Sequence, residues 1–207
     1  MASSLRLGQC LRGQNGIYAI GKQLQETLYL VKLESNQPVI VKKALKVLHD
    51  NNFVHTDVKP DNIVVNYGLG DVRFTDVQLA DCGNTVPADS AYAKDGDLIG
   101  GPIWRSPEAQ LRIGWGTQTD IWSFGALLVA LLYGDNFFLF KPDVPADHDE
   151  YESKILQRQC QFFGPFPLIY REICPQETLN ILAYIMKRIP PEKKKPFSRI
   201  SEQEISK

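Results

Sequence analysis

The chain has 207 residues, 43% hydrophobic and 10% aromatic, with 23 Lys and Arg against 24 Asp and Glu for a formal net charge of −1. That length holds one globular domain, or two small ones sharing an interface. The near-neutral balance and ordinary apolar fraction exclude a disordered acidic tail, a collagen-like fibre and a generally basic nucleic-acid binder.

The longest apolar stretch, residues 124–133, is about half of the roughly 20 residues a membrane-spanning helix needs, so no membrane association is expected. Residues 1–11 lack the apolar run of a signal peptide. Cys10, Cys82, Cys160 and Cys174 are too widely spaced for a zinc knuckle and too few for a disulfide scaffold. Reduced thiols in a cytoplasmic or nuclear protein are the expectation.

Residues 18–24 and 27–32 have the pattern of two short strands, and residues 38–43, rich in β-branched side chains, that of a third. Leu45, Val47 and Leu48 fit the last turns of a helix over residues 44–50, stopped by Asn51-Asn52. Residues 63–66 and 74–79 predict a β-pair around Gly68-Leu69-Gly70-Asp71, followed by a loop over residues 81–101. Residues 119–133 predict a helix apolar around nearly its whole circumference, capped by Thr117 or Thr119, stopped by Gly134 and placed in the middle of a core. Residues 151–163, ended by Gly164-Pro165, and residues 176–188, ended by Pro190-Pro191, predict two more helices. The order is a few strands and then a mostly helical body.

His55-Thr56-Asp57-Val58-Lys59-Pro60-Asp61-Asn62 falls on a loop between a helix and a strand. Its four fixed positions would coincide by chance in roughly one sequence in a thousand. It resembles the protein-kinase catalytic loop, H-R-D-x-x-x-x-N. Asp81-Cys82-Gly83, nineteen residues after Asn62, looks like the family's D-F-G with Cys for Phe. Ser106-Pro107-Glu108 stands where the family writes A-P-E, and Asp120-Ile121-Trp122-Ser123-Phe124-Gly125 matches its central-helix opening.

The resemblance implies an α+β, protein-kinase-like fold: residues 1–43 as the remnant of a β-rich N-lobe, and residues 44–207 as a mostly helical C-lobe incomplete at its C-terminal end. It also implies an ATP-dependent Ser/Thr protein kinase using Mg²⁺. Phosphoryl transfer needs a hydroxyl positioned in line with the γ-phosphate and neutralisation of charge on the phosphate oxygens. In these roles Asp57 would orient the substrate hydroxyl and Lys59 would sit beside the transferring phosphate. Asn62 and Asp81 would hold Mg²⁺ through hard oxygen ligands. Val39-Ile40-Val41-Lys42 looks like the third-strand V-A-I-K, with Lys42 reaching the α/β-phosphates. His55 would be structural, Asp120 would brace the loop through backbone N–H groups, and Cys82 would be a buried small hydrophobe.

The H-T-D variant and Trp104-Arg105-Ser106-Pro107-Glu108 resemble the serine/arginine-protein kinases of the CMGC group, which adds Arg/Ser-rich segments to the protein substrates implied. Asp147, Asp149, Glu150 and Glu152 suit the start of a helix better than a docking site for such segments. Thr56 replaces the Arg that captures a loop phosphate, so phosphorylation at Thr85, Ser90 or Tyr92 is not expected to be the on-switch.

Three features depart from the family pattern. Only fourteen residues separate Lys42 from Asp57, too few for the regulatory helix, the further strands and the adenine-gripping hinge. The stretch after Gly21 lacks G-x-G-x-x-G spacing, and the sequence stops at Lys207, before the Arg that the family pairs with Glu108, so that carboxylate is expected to be unpaired. The alternative is therefore a catalytically inactive, pseudokinase-like or truncated interaction module. Substrate identity and oligomeric state are not encoded in any motif.

Overall fold

The computed structural model describes residues 10–13, 16–23, 29–33, 41–67, 74–134 and 137–194. Its first three strands, β1 (Cys10–Gly13), β2 (Gly16–Gln23) and β3 (Tyr29–Leu33), form one antiparallel sheet in that order, with a bulge in β2 between Ile20 and Lys22. β2 and β3 are the two expected strands, whereas β1 was not anticipated.

The third strand expected over residues 38–43 is corrected. Residues 38–40 lie outside the described residues, and Val41 opens a helix, α1 (Val41–Asp50). Val41, Ala44, Leu45, Val47 and Leu48 are buried while Lys42, Lys43 and Lys46 face out. This helical spacing reaches back to Val41 and outweighs the β-propensity of a short Val-Ile-Val run. Asn52 then takes a left-handed φ of 61° and ends the helix.

A two-residue strand, β4 (Phe53–Val54), leads into the loop that carries His55, Thr56 and Asp57. After a 3₁₀ turn at Pro60–Asn62, β5 (Ile63–Tyr67) pairs antiparallel with β6 (Phe74–Leu79), as expected; the residues between them lie outside the described ones. The stretch expected as a plain loop over residues 81–101 holds more structure. A 3₁₀ turn at Cys82–Asn84 is followed by β7 (Val86–Pro87), which pairs with β4, and by α2 (Ala91–Asp95), whose first turn is capped by Ser90. β3 approaches both β6 and the Cys82–Asn84 turn, so the N-terminal sheet lies beside the Asp81 end of the hairpin.

The rest is helical: α3 (Pro107–Leu111), α4 (Thr117–Tyr133), α5 (Tyr151–Phe163), α6 (Tyr170–Ile173) and α7 (Gln176–Arg188). One core joins α1, α4 and α5 with the site loops through Leu45, Leu48, Val58, Leu79, Leu127, Phe140 and Ile155.

The expectation that α4 is enclosed on all sides is also corrected. α1, β4 and the Pro102–Trp104 turn pack against one side of it. Ile121, Leu128, Leu131 and Leu132, on the remaining surface, are 43–66% exposed. The buried side includes Thr119, Asp120 and Ser123, whose polar atoms tie down neighbouring loops: Ser123 Oγ donates to Trp104 O at 2.8 Å, and Thr119 Oγ1 donates to Ser106 Oγ at 2.9 Å. Neither Thr117 nor Thr119 caps α4; Gly116 holds that position without a side-chain bond. Gly134 ends the helix as expected. No helix among the described residues is long and apolar enough to cross a membrane.

Candidate active site

The loop between β4 and the Pro60–Asn62 turn is held from below by one buried carboxylate. Asp120, in the first turn of α4, accepts the His55 N–H on Oδ2 at 2.7 Å and the Thr56 N–H on Oδ1 at 2.9 Å. His49 Nε2, from the last turn of α1, lies 2.8 Å from Oδ2. Two converging N–H groups explain how Thr56, a β-branched residue, keeps a φ of 74°. Its hydroxyl is fixed as well, because Thr56 Oγ1 donates to Asn84 O at 3.2 Å.

His55 is fully buried and bridges the two halves of the site. The Asp57 N–H donates to Nδ1 at 3.3 Å, which leaves Nε2 as the protonated nitrogen facing Ala80 O at 3.0 Å. The ring therefore locks the 55–57 turn to the end of β6, in the structural role expected of it.

Asp57, 8% exposed, receives donors on both carboxylate oxygens. Lys59 Nζ donates to Oδ2 at 2.7 Å, and Asn62 Nδ2 donates to the same oxygen at 3.1 Å and to the Asp57 carbonyl at 2.7 Å. The Gly101 N–H donates to Oδ1 at 3.2 Å. Three of the five residues singled out in the sequence, Asp57, Lys59 and Asn62, thus form one hydrogen-bonded group.

Asp81 joins through the backbone. Ile63 pairs with Leu79, the Ala80 N–H donates to Asn62 O at 2.8 Å, and Asp81 follows at once in a left-handed conformation with φ 59°. Its half-buried carboxylate has no hydrogen bond or ion pair among the described residues. The Asn62 amide is oriented by its two Nδ2 bonds, so its Oδ1 is the end left without a hydrogen bond among the described residues. A carboxylate and an amide oxygen without donors among the described residues, on backbone segments joined by the Ala80 N–H to Asn62 O bond, are hard ligands of the kind Mg²⁺ takes, and their chemistry fits that ion.

Lys42 is not brought to this group. It lies on the exposed face of α1 and makes no hydrogen bond or ion pair with Asp57, Asn62 or Asp81 among the described residues. Cys82 is 1% exposed, and burial pushes its thiol up to about 12, consistent with a small core residue rather than a reactive one. Thr85 is 1% exposed, and the Ser90 hydroxyl accepts the Ala93 N–H as the cap of α2. The Thr85 hydroxyl is thus shut in by burial and the Ser90 hydroxyl engaged as a cap, whereas Tyr92 is 51% exposed.

Gly101 and His49 were missed from sequence. The Gly100-Gly101 doublet was the available signal for Gly101, since adjacent glycines mark a close backbone approach. A Cβ on Gly100, at φ 51°, would stand 2.6 Å from Thr56 O and 3.0 Å from Asp57 Oδ1.

The family model described as protein kinase domain matches residues 34–202. Serine/threonine-protein kinase PAK 5 of Rattus norvegicus is 32% identical over 106 residues, 51% of this chain and 14% of that protein. PAK 1 of Mus musculus is 34% identical over 97 residues, 47% of this chain and 17% of that one. The shk1/pak1 kinase of Schizosaccharomyces pombe is 31% identical over 126 residues, 59% of this chain and 18% of that one. The chain thus matches less than a fifth of the length of these relatives. A crystal structure of a kinase domain superposes with a TM-score of 0.46 at 22% identity, over 78% of this chain and 49% of that chain. The serine/arginine-protein kinase subgroup expected from the H-T-D and W-R-S-P-E stretches gains no support, because these relatives carry the PAK name. With the family model spanning most of the chain and the Asp57 loop, Asp81 turn, Glu108 helix and Asp120 brace in their family order, this chain belongs to the protein kinase domain family.

Proposed function

We propose that the chain carries the phosphoryl-transfer centre of a serine/threonine protein kinase, with ATP as phosphate donor and protein hydroxyls as acceptors. The observation that supports this best is the Asp57 carboxylate, buried and held by Lys59, Asn62 and the Gly101 N–H, with Asp81 tied to the same loop through the Ala80 N–H on Asn62 O.

In this reading Asp57 orients the acceptor hydroxyl and takes its proton as the acceptor oxygen bonds to the γ-phosphorus and the bond from that phosphorus to the departing ADP oxygen breaks. Oδ2 is occupied by Lys59 and Asn62, so Oδ1 is the oxygen with capacity for the incoming hydroxyl. Lys59, 25% exposed at its side chain, would offer its ammonium to a phosphate oxygen as well as to Asp57. Asn62 Oδ1 and the Asp81 carboxylate would hold Mg²⁺, which when bound supplies charge neutralisation for the phosphates. Lys42 has no part in this reading.

A second reading, a non-catalytic binding module, is favoured by one feature: α1 fills most of the short connection before β4, where the family places its adenine-gripping segments. The two are separated by a melting scan with millimolar Mg-ATP, which should raise the midpoint by mass action, and by transfer of labelled γ-phosphate to a mixed peptide library. Transfer abolished by Asp57→Asn supports the first reading. No thermal shift and no transfer support the second. The same library tests whether Arg/Ser-rich acceptors, suggested by the subgroup resemblance alone, are preferred.

A further inference from the structure

Arg105 precedes Ser106, the cap of α3, and its guanidinium turns back over the segment that comes before it. Nε donates to Ile99 O at 2.5 Å and Nη2 donates to Gly100 O at 2.9 Å. Nη1 faces Glu152 of α5 at 3.6 Å, and the Arg105 carbonyl accepts from Gln159 Nε2, also on α5, at 3.0 Å. Arg105 is therefore anchored to α5 through both its side chain and its backbone, and from that anchor it grips two successive carbonyls.

The geometry of one peptide plane carries this grip to the site. Gly100 C=O and Gly101 N–H belong to the same trans peptide and point in opposite directions. Fixing Gly100 O toward Arg105 aims the Gly101 N–H the other way, where it meets Asp57 Oδ1 at 3.2 Å. Among the described residues, that N–H is the one donor on Oδ1, whereas Oδ2 has two.

We propose that Arg105 is a positioning residue for Asp57: by holding Gly100 O it fixes the peptide whose opposite edge orients Oδ1, the oxygen left to meet an acceptor hydroxyl. The proposal rests on the reading of Asp57 given above. It assigns the grip to the planar fork of arginine, which places two N–H groups on two carbonyls at once; a lysine ammonium keeps the charge without that shape.

The test is amide hydrogen exchange read residue by residue by NMR on the full chain, comparing the parent with Arg105→Lys and Asp57→Ala. The expected result is exchange at Gly101 faster by about tenfold or more in both variants, with Val129 in α4 and Leu156 in α5 unchanged. Gly101 as protected in Arg105→Lys as in the parent overturns the proposal, and so does an equal acceleration at Val129 and Leu156, which marks general loss of stability. If Arg105→Lys does not fold, Glu152→Gln removes the exposed partner of the guanidinium; faster exchange confined to residues 99–101 supports the proposal, and no change there overturns it. If the parent transfers phosphate, Arg105→Lys should lower kcat and leave the KM for ATP unchanged, and an unchanged kcat is a refutation. A parent that transfers none sinks the functional reading while leaving the Gly101 exchange result to stand.

Discussion

Tyr170 Oη donates to Glu108 Oε1 at 2.5 Å, joining α6 to α3 across 62 positions of sequence. Glu108 was expected to be stranded without the arginine its family supplies; a buried phenol satisfies it instead. Burial, with the neighbouring Glu108 carboxylate second, pushes the Tyr170 hydroxyl well above its ordinary range.

Tyr170→Phe should lower the free energy of unfolding by about 1–3 kcal/mol, because it leaves a part-buried carboxylate without its donor. The sign of the pH dependence follows from the raised folded-state value. The protonated phenol is favoured in the folded chain, so its contribution is complete below about pH 10, the unfolded value, and is lost as pH rises beyond it. Urea titrations should show parent and variant converging above that pH. A gap that stays constant to pH 11 would refute the coupling.

Asp120→Ala should cost more than Asp120→Asn. Alanine leaves the buried His55 and Thr56 N–H groups without acceptors, at about 1–3 kcal/mol each, whereas asparagine keeps one acceptor oxygen. Chemical denaturation ranks the two variants, and equal losses would contradict the two-donor bracket described for this carboxylate.

The two sides of α4 should respond differently to substitution. Leu127, 1% exposed, is expected to lose about 2–5 kcal/mol on truncation to alanine. Leu132, 62% exposed, should accept glutamine within about 0.5 kcal/mol. Comparable losses at both positions, measured by thermal or urea unfolding, would mean that the outer stripe is covered.

Thiol labelling offers an independent check on the site's interior. Burial raises the Cys174 thiol as well, yet that side chain is only partly buried, so a maleimide at pH 7.5 should modify Cys174 in the folded chain. Cys82 should react only after denaturant is added, as followed by peptide mass spectrometry. Early labelling of Cys82 would show that the Asp81 turn opens.

Much of the site was legible because its chemistry is local. Asp57, Lys59 and Asn62 sit within six residues, and a short turn forces such neighbours together whatever surrounds them. Asp120 was legible as a brace only through the resemblance of Asp120-Ile121-Trp122-Ser123-Phe124-Gly125 to the family's central-helix opening. Tyr170 as the partner of Glu108 was not, since nothing in either segment encodes which distant side chain meets that carboxylate. Lys42 failed for a different reason: Val39-Ile40-Val41 has β-propensity, but the burial period running from Val41 through Leu48 decides the backbone. The exposed stripe of α4 was hidden because hydropathy reports what a helix could bury, and only the number of neighbouring elements limits what it does bury.

The bond from Thr56 Oγ1 to Asn84 O has a consequence for regulation. Where a cationic side chain fastens a loop through an added phosphate, the fastening depends on a modifying enzyme, is undone by a phosphatase and weakens in brine. A hydroxyl resting on a carbonyl carries no net charge. This latch between two uncharged groups forms with the fold itself and is indifferent to ionic strength, so it needs no added phosphate to close.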